Sequence, residues 1–345
     1  MSSHVLSPVL GLRDGHNRVA TDLRVSLTDR CNLRCSYCMP AEGLEWLPTD
    51  LTLNTEEVIR LLRIAIERLG VKTVRFTGGE PLLRRDLEQI IRATHDLRGE
   101  DGTRPDLALT TNGLGLDKRA TALATAGLNR VNISIDSLDA ERYAQIARRP
   151  RLDDALAGLA AADAAGLHPI KVNAVAMRDT NEADIVPLAD FCLSQGYQLR
   201  FIEHMPLGPR HEWDRTTMVP AAEILERLGG HFELTPQPTR GSAPAELWEV
   251  AATACHPAGQ IGVIASVTRP FCATCDRTRV TSDGQLRTCL FARAETDLRT
   301  PLRSGASDAE IATQWQGAHW TKPAAHGIDE PGFVPPDRPM SSIGG

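Results

Sequence analysis

The sequence lacks a membrane-spanning run, a secretory signal and an excess of basic residues. No apolar run approaches the 18 or more residues of a transmembrane helix, and residues 1–15 lack the basic start and apolar core of a signal peptide. The 345 residues include 38 Lys and Arg against 44 Asp and Glu, a net charge of −6, which argues against nucleic acid as the main partner. We therefore expect a cytoplasmic protein that holds any anionic ligand with local basic residues.

A fourth cysteine is missing near the first group of cysteines. Cys31, Cys35 and Cys38 follow C-x3-C-x2-C spacing in one short segment. A cubic iron–sulfur cluster normally takes four thiolates, so three leave one iron open to a ligand. Structural zinc sites are closed by four ligands, and disulfides are rare in the cytoplasm. The spacing therefore predicts a 4Fe-4S cluster with one open iron.

The second group of cysteines is also one thiolate short. Its members, at C-x2-C-x13-C spacing, are Cys272, Cys275 and Cys289. A second open 4Fe-4S cluster and a zinc ribbon that adds His256 are both compatible with this pattern. Arg277 and Arg279 alternate onto one face beside these cysteines, and their guanidinium groups suit a polyphosphate. The two remaining cysteines, Cys192 and Cys255, are interpreted as a small buried residue and an incidental thiol.

Short β-branched runs alternate with helical patterns between about residues 20 and 205. The predicted strands are 23–28, 73–77, 107–111, 131–135, 170–176 and 198–203. The clearest helices are 55–69, capped by Asn54 or Thr55 and ended by Gly70, and 181–194. Six strand–helix units imply a parallel sheet with right-handed crossovers, in a barrel smaller than the usual eight units. We expect the candidate site residues at the carboxyl ends of these strands.

The C-terminal third has a different pattern. Residues 235–248 are rich in Pro and Gly and resemble a linker. Strands are predicted at 261–267 and 279–290, the second interrupted by a turn at Ser282-Asp283-Gly284, and a short helix at 308–315. Residues 332–345 form a Pro, Gly and Ser tail.

A Gly-Gly-Glu-Pro segment, residues 78–81, follows the second strand. The glycines allow backbone to approach a ligand closely, and Glu80 can accept a hydrogen bond from an ammonium group. By itself this segment is more often an ordinary turn.

Together these motifs resemble the radical S-adenosylmethionine enzymes, and more narrowly the GTP 3′,8-cyclase family of molybdenum cofactor biosynthesis. The matching segments are residues 23–31, 75–81, 110–113 and 171–173, Cys272-x2-Cys275-x-Arg277-x-Arg279, and the terminal Gly344-Gly345. The resemblance implies an α/β fold, an open (β/α)6 partial TIM barrel with a smaller C-terminal α+β region. It implies four parts: an N-terminal extension (1–22), the barrel (23–235), a cluster-binding and GTP-binding region (236–331) and a flexible tail (332–345).

The resemblance also implies roles for individual residues. Each 4Fe-4S cluster is held by one group of cysteines. The residues around S-adenosylmethionine are Tyr37, Gly79, Ser134 and Met205. The residues that hold GTP are Arg24, Arg75, Thr110, Lys171, Arg277, Thr278 and Arg279. The residues implied in catalysis are Arg277, Arg279, Gly344 and Gly345, with the tail entering the site.

The implied reaction is a radical cyclisation of GTP. A 5′-deoxyadenosyl radical takes the ribose 3′ hydrogen, the carbon radical attacks C8 of guanine, and a separate synthase converts the product to cyclic pyranopterin monophosphate. An electron donor and a homodimer are implied as well. Two alternatives stay open, another radical S-adenosylmethionine maturase with an auxiliary cluster and a non-catalytic iron–sulfur electron carrier.

Overall fold

The computed structural model describes residues 11–209 and 213–344. The strands are β1 (Leu12–Arg13), β2 (Val19–Ala20), β3 (Asp22–Ser26), β4 (Thr73–Thr77), β5 (Asp106–Thr111), β6 (Arg130–Ser134), β7 (Lys171–Ala176), β8 (Gln198–Glu203), β9 (Leu234–Pro236), β10 (Glu246–Val250), β11 (Gly259–Ile264), β12 (Arg277–Val280), β13 (Gln285–Arg287) and β14 (Thr296–Asp297). The helices are α1 (Thr55–Arg63), α2 (Leu87–His95), α3 (Ala120–Thr125), α4 (Ala140–Ala147), α5 (Leu152–Ala164), α6 (Ile185–Ser194), α7 (Ala221–Gly229), α8 (Arg299–Arg303), α9 (Asp308–Trp320) and α10 (Met340–Ile343).

One sheet of 12 strands dominates the fold, in the order β14-β13-β12-β3-β4-β5-β6-β7-β8-β11-β10-β9. The six predicted strands form its centre, β3 to β8, and pair in parallel. Within the described ranges β11 and β12 do not pair with each other, so the barrel is open. The predicted α/β fold, an open partial barrel of six strand–helix units, is confirmed.

The C-terminal strands join this sheet at both edges. β12 pairs in parallel with β3, and β11 pairs in parallel with β8. The predicted boundary near residue 235 falls inside β9, which pairs with β10. The interpretation of residues 235–248 as a linker is therefore wrong at both ends, because backbone pairing with β10 and β11 overrides the turn-forming composition.

Helix α1 shows why the local sequence signals were informative. Asn54 accepts from the backbone N–H of Glu57 while the Glu57 side chain accepts from the backbone N–H of Asn54, a capping box. A turn of π-helix, Ile64–Arg68, continues α1, and Gly70 follows at φ +72°. The predicted helix 55–69 is confirmed, whereas the helix predicted at 308–315 extends to Trp320 as α9.

Side chains along the parallel strands alternate between two environments. Leu23 and Val25 of β3, and Phe76 of β4, are buried in the hydrophobic core. Arg24 and Arg75, one position away, line the interior cavity of the barrel. Burial of each large apolar side chain contributes roughly 1.5–3 kcal/mol, which stabilises a barrel with a polar interior. Within the described residues, no helix is both long and apolar enough to cross a membrane.

Candidate active site

Both groups of cysteines face one cavity of about 290 Å³ inside the barrel. The six cysteines that line it are Cys31, Cys35, Cys38, Cys272, Cys275 and Cys289. All eight cysteines of the chain are free thiols, with Cys192 buried and Cys255 exposed. The cavity thus places two incomplete sets of thiolate ligands on its walls, with basic side chains among the other lining residues.

The first cysteine loop is positioned by close backbone packing. The backbone N–H groups of Arg34 and Ser36 donate to carbonyls at the end of α4, at 3.1 and 2.9 Å. A Cβ atom on Gly79 would lie 2.3 Å from the carbonyl oxygen of Arg30, and one on Gly78 2.3 Å from that of Thr28. The two glycines are therefore needed where the loop after β4 passes the cysteine loop.

The donor set of the first loop fits an open cluster. Burial raises the pKa of Cys31 to about 11 and that of Cys38 to about 12, so cationic iron is needed to hold these thiols as thiolates. No group of three or more His, Cys, Asp and Glu side chains surrounds a single-ion position in the described ranges. Thiolate sulfur is the ligand type that iron–sulfur clusters use, so three thiols on the wall of one cavity fit a cluster with one open iron.

The residues predicted around S-adenosylmethionine all reach the same cavity. Tyr37 donates its hydroxyl proton to Asp136 at 2.9 Å, and Asp136 also accepts from the backbone N–H of Val175 at 2.8 Å. Burial raises the pKa of Asp136 to about 6. Gly79, Ser134 and Met205 lie on the cavity wall.

Glu80 lines the cavity and is held in place by three protein donors. Its carboxylate accepts hydrogen bonds from the Leu82 N–H at 3.0 Å, the Thr111 hydroxyl at 2.7 Å and the Asn112 N–H at 2.8 Å. Burial raises its pKa to about 7. Glu80 therefore joins the loops after β4 and β5, and three of the roughly four acceptor positions of its carboxylate are used by protein donors.

The second group of cysteines is flanked by cations. Burial raises the pKa of Cys272, whereas at Cys275 the effect of burial is outweighed by Arg277 and Lys322, which lower its pKa to about 7. The Arg277 guanidinium stacks over Phe271, 4.3 Å from the ring centre.

His256 does not join these cysteines. It packs against Phe232, with ring centres 5.9 Å apart, and is not among the residues that line the cavity. The zinc ribbon alternative is therefore wrong, because folding places the histidine elsewhere.

Basic side chains of adjacent strands form the rest of the cavity wall. They are Arg24, Arg75, Arg200, Arg277 and Arg279. Among the described residues, Arg75 Nε and Nη1 and Arg277 Nε make no hydrogen bond. Arg24 Nε makes none either, and its ion pair with Asp22 is long, at 3.9 Å. Burial and then the neighbouring cations lower the pKa of Arg75 to about 9 and of Arg200 to about 10. Buried donors without partners imply an anionic ligand that supplies acceptors.

Sequence reasoning missed Arg200. It lies on β8 between Leu199 and Phe201, two core residues, and the two-residue alternation of that strand was the available signal.

Two of the seven predicted GTP residues, Lys171 and Thr278, do not line the cavity. Lys171 is the first residue of β7, at its amino end, and does not line the cavity. The Thr278 hydroxyl accepts from the Trp315 indole of α9 at 3.2 Å, on the outer face of the sheet. The expectation that all candidates lie at carboxyl ends is thus wrong for Lys171, and Arg24 and Arg75 are mid-strand. Thr110 is the fifth predicted GTP residue that lines the cavity, beside the four arginines.

The chain end approaches the barrel interior. The Ser26 hydroxyl donates to the carbonyl of Ile343 at 3.0 Å, and Arg279 donates to the carbonyl of Gly344. A Cβ atom on Gly344 would lie 2.2 Å from the Ser26 hydroxyl oxygen. Gly345 lies outside the described residues.

Two family models and several relatives match the chain. Residues 25–192 match the Radical SAM superfamily model, and residues 197–328 match Molybdenum Cofactor Synthesis C. A GTP 3′,8-cyclase of Corynebacterium glutamicum is 62% identical over 337 residues, covering 97% of this chain and 89% of that protein. Its counterpart from Mycolicibacterium smegmatis is 60% identical over 335 residues, covering 97% and 92%.

Solved structures support the fold. SuiB of Streptococcus suis is similar with a TM-score of 0.61 at 15% identity, covering 91% of this chain and 69% of that one. A second SuiB structure, bound to S-adenosylmethionine, has a TM-score of 0.58.

Proposed function

The chain belongs to the GTP 3′,8-cyclase family of radical S-adenosylmethionine enzymes, and from this premise we propose how its residues perform the reaction. The activity is conversion of GTP to (8S)-3′,8-cyclo-7,8-dihydroguanosine 5′-triphosphate, the first step of molybdenum cofactor biosynthesis. The observation that carries the proposal is that two three-cysteine sets and a group of unpartnered arginine donors line one cavity.

Cys31, Cys35 and Cys38 hold the 4Fe-4S cluster at which S-adenosylmethionine binds. Around the cofactor we place Tyr37, Gly79, Ser134 and Met205, which lie on the same cavity wall. When bound, the reduced cluster would supply the electron that cleaves S-adenosylmethionine to methionine and a 5′-deoxyadenosyl radical. That radical would take the ribose 3′ hydrogen, C3′ would bond to C8 of guanine, and one further electron from the separate donor and a proton would complete the 7,8-dihydro product. Asp136 orients Tyr37 through their 2.9 Å hydrogen bond.

GTP lies among the cavity arginines in this proposal. Arg24, Arg75, Arg277 and Arg279 have guanidinium groups that match phosphate oxygens in charge and geometry. Arg200 belongs with them because it lines the same cavity. Lys171 does not line the cavity and adds positive charge close to Arg200 and Arg75. Thr110 contacts the ligand directly, and Thr278 contributes only backbone, since its hydroxyl is engaged with Trp315.

Cys272, Cys275 and Cys289 hold a second 4Fe-4S cluster, whose open iron anchors the purine of GTP. Support comes from the three thiols that line the cavity and from the placement of His256 away from them. Holding both reactants in one cavity brings the reacting atoms together. Arg277 and Arg279, with Gly344 and Gly345 of the tail, are the proposed catalytic group, and the tail also limits access of water.

We extend the proposal to partners and location. The enzyme acts as a homodimer in the cytoplasm, receives electrons from a separate donor, and passes its product to cyclic pyranopterin monophosphate synthase. The eight free cysteines are consistent with a reducing compartment. An electron carrier has no use for the unpartnered arginine donors, and a peptide-modifying maturase does not explain a cluster of guanidinium groups.

The test is anaerobic. The clusters are reconstituted, dithionite, S-adenosylmethionine and GTP are added, and the products are analysed by mass spectrometry. We expect 5′-deoxyadenosine together with an isomer of GTP that has lost its ribose 3′ hydrogen to the cofactor, followed with 3′-deuterated GTP. If 5′-deoxyadenosine forms while GTP stays unchanged, the substrate assignment is wrong.

A further inference from the structure

We propose that Lys322 is a positioning residue for the second cluster, which donates an N–H to the Cys275 thiolate and thereby raises the reduction potential of that cluster. The proposal rests on the second cluster of the proposed function. Lys322 follows α9, lies outside the sequence motifs and does not line the cavity.

Lys322 Nζ has three acceptors close to it. It lies 2.8 Å from the carbonyl oxygen of Arg277, 3.3 Å from that of Cys275 and 3.4 Å from the Cys275 sulfur. An ammonium group has three donors, so these contacts account for its full capacity. The nitrogen thus joins the cysteine, the backbone of β12 and the end of α9.

The burial of Lys322 requires a nearby negative charge. Its exposure is 3%, and within residues 11–209 and 213–344 no salt bridge connects it to a carboxylate. A buried cation without an anionic partner is costly. The Cys275 thiolate is the negative group in contact with Lys322. The negative charge of a cluster at this position would therefore stabilise the buried ammonium group, and the ammonium group would stabilise the cluster.

Lys322 does not act on the substrate directly. It is absent from the residues that line the cavity, whereas Arg277 lines it and places Nη2 3.5 Å from the same sulfur. Cys275 therefore receives one donor from a substrate-facing residue and one from a residue outside the cavity. Of these two donors, only Lys322 lies outside the cavity that would hold GTP.

The segment that carries Lys322 is fixed to the second cysteine loop by Arg18. The Arg18 guanidinium donates to the carbonyls of Cys272 at 2.6 Å, Ala324 at 2.8 Å and Pro323 at 2.6 Å. Asp14 holds the guanidinium in turn at 2.6 Å. These hydrogen bonds fix the backbone next to Lys322 relative to the second cysteine loop. The distance from Lys322 Nζ to the Cys275 sulfur therefore depends on tertiary contacts as well as on the side-chain rotamer.

Hydrogen bonds and positive charge at a cluster sulfur stabilise the reduced cluster, which carries more negative charge. Loss of the lysine should therefore make the second cluster harder to reduce. Electron distribution between the two clusters would change, although no residue in contact with GTP is altered.

The test compares Lys322→Met, Lys322→Gln and Lys322→Arg in the full-length, anaerobically reconstituted protein. Iron and sulfide are measured first, and the second cluster is then titrated by electron paramagnetic resonance in a background with Cys31, Cys35 and Cys38 changed to Ala. We expect Lys322→Met to lower the reduced-to-oxidised ratio at fixed potential about tenfold, which is 59 mV for one electron. Lys322→Arg should stay within about threefold of the unaltered protein.

Lys72→Met is the matched control, because Lys72 is 67% exposed and pairs with Asp101 away from the cysteines. Full iron content with an unchanged potential in Lys322→Met overturns the proposal. If Lys322→Met loses the second cluster, retention by the Gln and Arg variants supports the donor role, and loss in all three overturns it. If the unaltered protein assembles no second cluster, the proposed function itself fails, independently of Lys322.

Discussion

Replacing Arg75 by Met should have two effects of opposite sign. Arg75 is 6% exposed, and two of its guanidinium nitrogens have no acceptor in the described part of the chain. Burial and the Arg24 charge lower its pKa to about 9. Because the pKa is lower in the folded protein than in the unfolded chain, the charged side chain destabilises the ligand-free fold at neutral pH. Met removes the charge and keeps much of the apolar stem.

The magnitudes follow from the environment. One charge-assisted hydrogen bond to phosphate contributes about 1.5–3 kcal/mol, so the Kd for GTP should rise roughly 10- to 150-fold. Each pKa unit corresponds to 1.36 kcal/mol, and even partial relief of the cost at Arg75 should exceed about 1 kcal/mol. We therefore expect the Tm of the ligand-free protein to rise by about 2 °C or more.

Equilibrium dialysis gives the GTP affinity and anaerobic thermal unfolding gives the Tm, both on protein of equal iron content. Arg142→Met is the control, since Arg142 pairs with Asp184 at 2.8 Å and does not line the cavity. It should bind GTP within about threefold of the unaltered protein without any gain in Tm. Unchanged GTP affinity in Arg75→Met would refute the inference from unpartnered donors, and a lower Tm would refute the inference about the unpaired charge.

Three further predictions concern the loop, the tail and pH. Gly79→Ala should lose the first of the two proposed clusters and with it about half of the iron, because the new Cβ would lie 2.3 Å from the Arg30 carbonyl oxygen and displace the first cysteine loop. Full iron content would contradict this expectation. Removal of Gly344 and Gly345 should abolish cyclisation and leave iron unchanged, whereas full activity would indicate a passive tail. Burial and then Arg200 lower the pKa of Lys171 to about 7, and a bound triphosphate should raise it. GTP affinity relative to Lys171→Met should therefore fall as pH rises through about 7, and equal pH profiles would contradict that role.

Much of the site could be read from local sequence. The predicted strands at residues 73–77 and 198–203 match β4 and β8 in full, since alternation of core and interior side chains is a short-range signal. The same alternation correctly placed Arg277 and Arg279 together on the cavity wall. Thr278, between them, was assigned to GTP although its side chain faces α9, because the family motif does not distinguish the two faces of a strand.

Other features depended on contacts between distant segments. The contact between Lys322 and Cys275 joins residues 47 positions apart, and that between Arg18 and Cys272 joins residues 254 apart. His256 was a reasonable zinc ligand by type, yet packing against Phe232 places it elsewhere.

Residue types and their spacing along the chain were sufficient to predict two sets of three cysteines, six strand–helix units and arginines close to the second set. These features depend on residue type and on residues close in sequence, whose relative positions are given by the periodicity of a strand or helix. Contacts between distant segments, which local patterns do not reveal, place both sets and Arg200 on one cavity and put β11 and β12 at opposite edges of the barrel. Such arrangements arise because crossovers bring remote strands together. The resulting burial of the arginines, which no local pattern predicts, produces donors that an anionic ligand can satisfy.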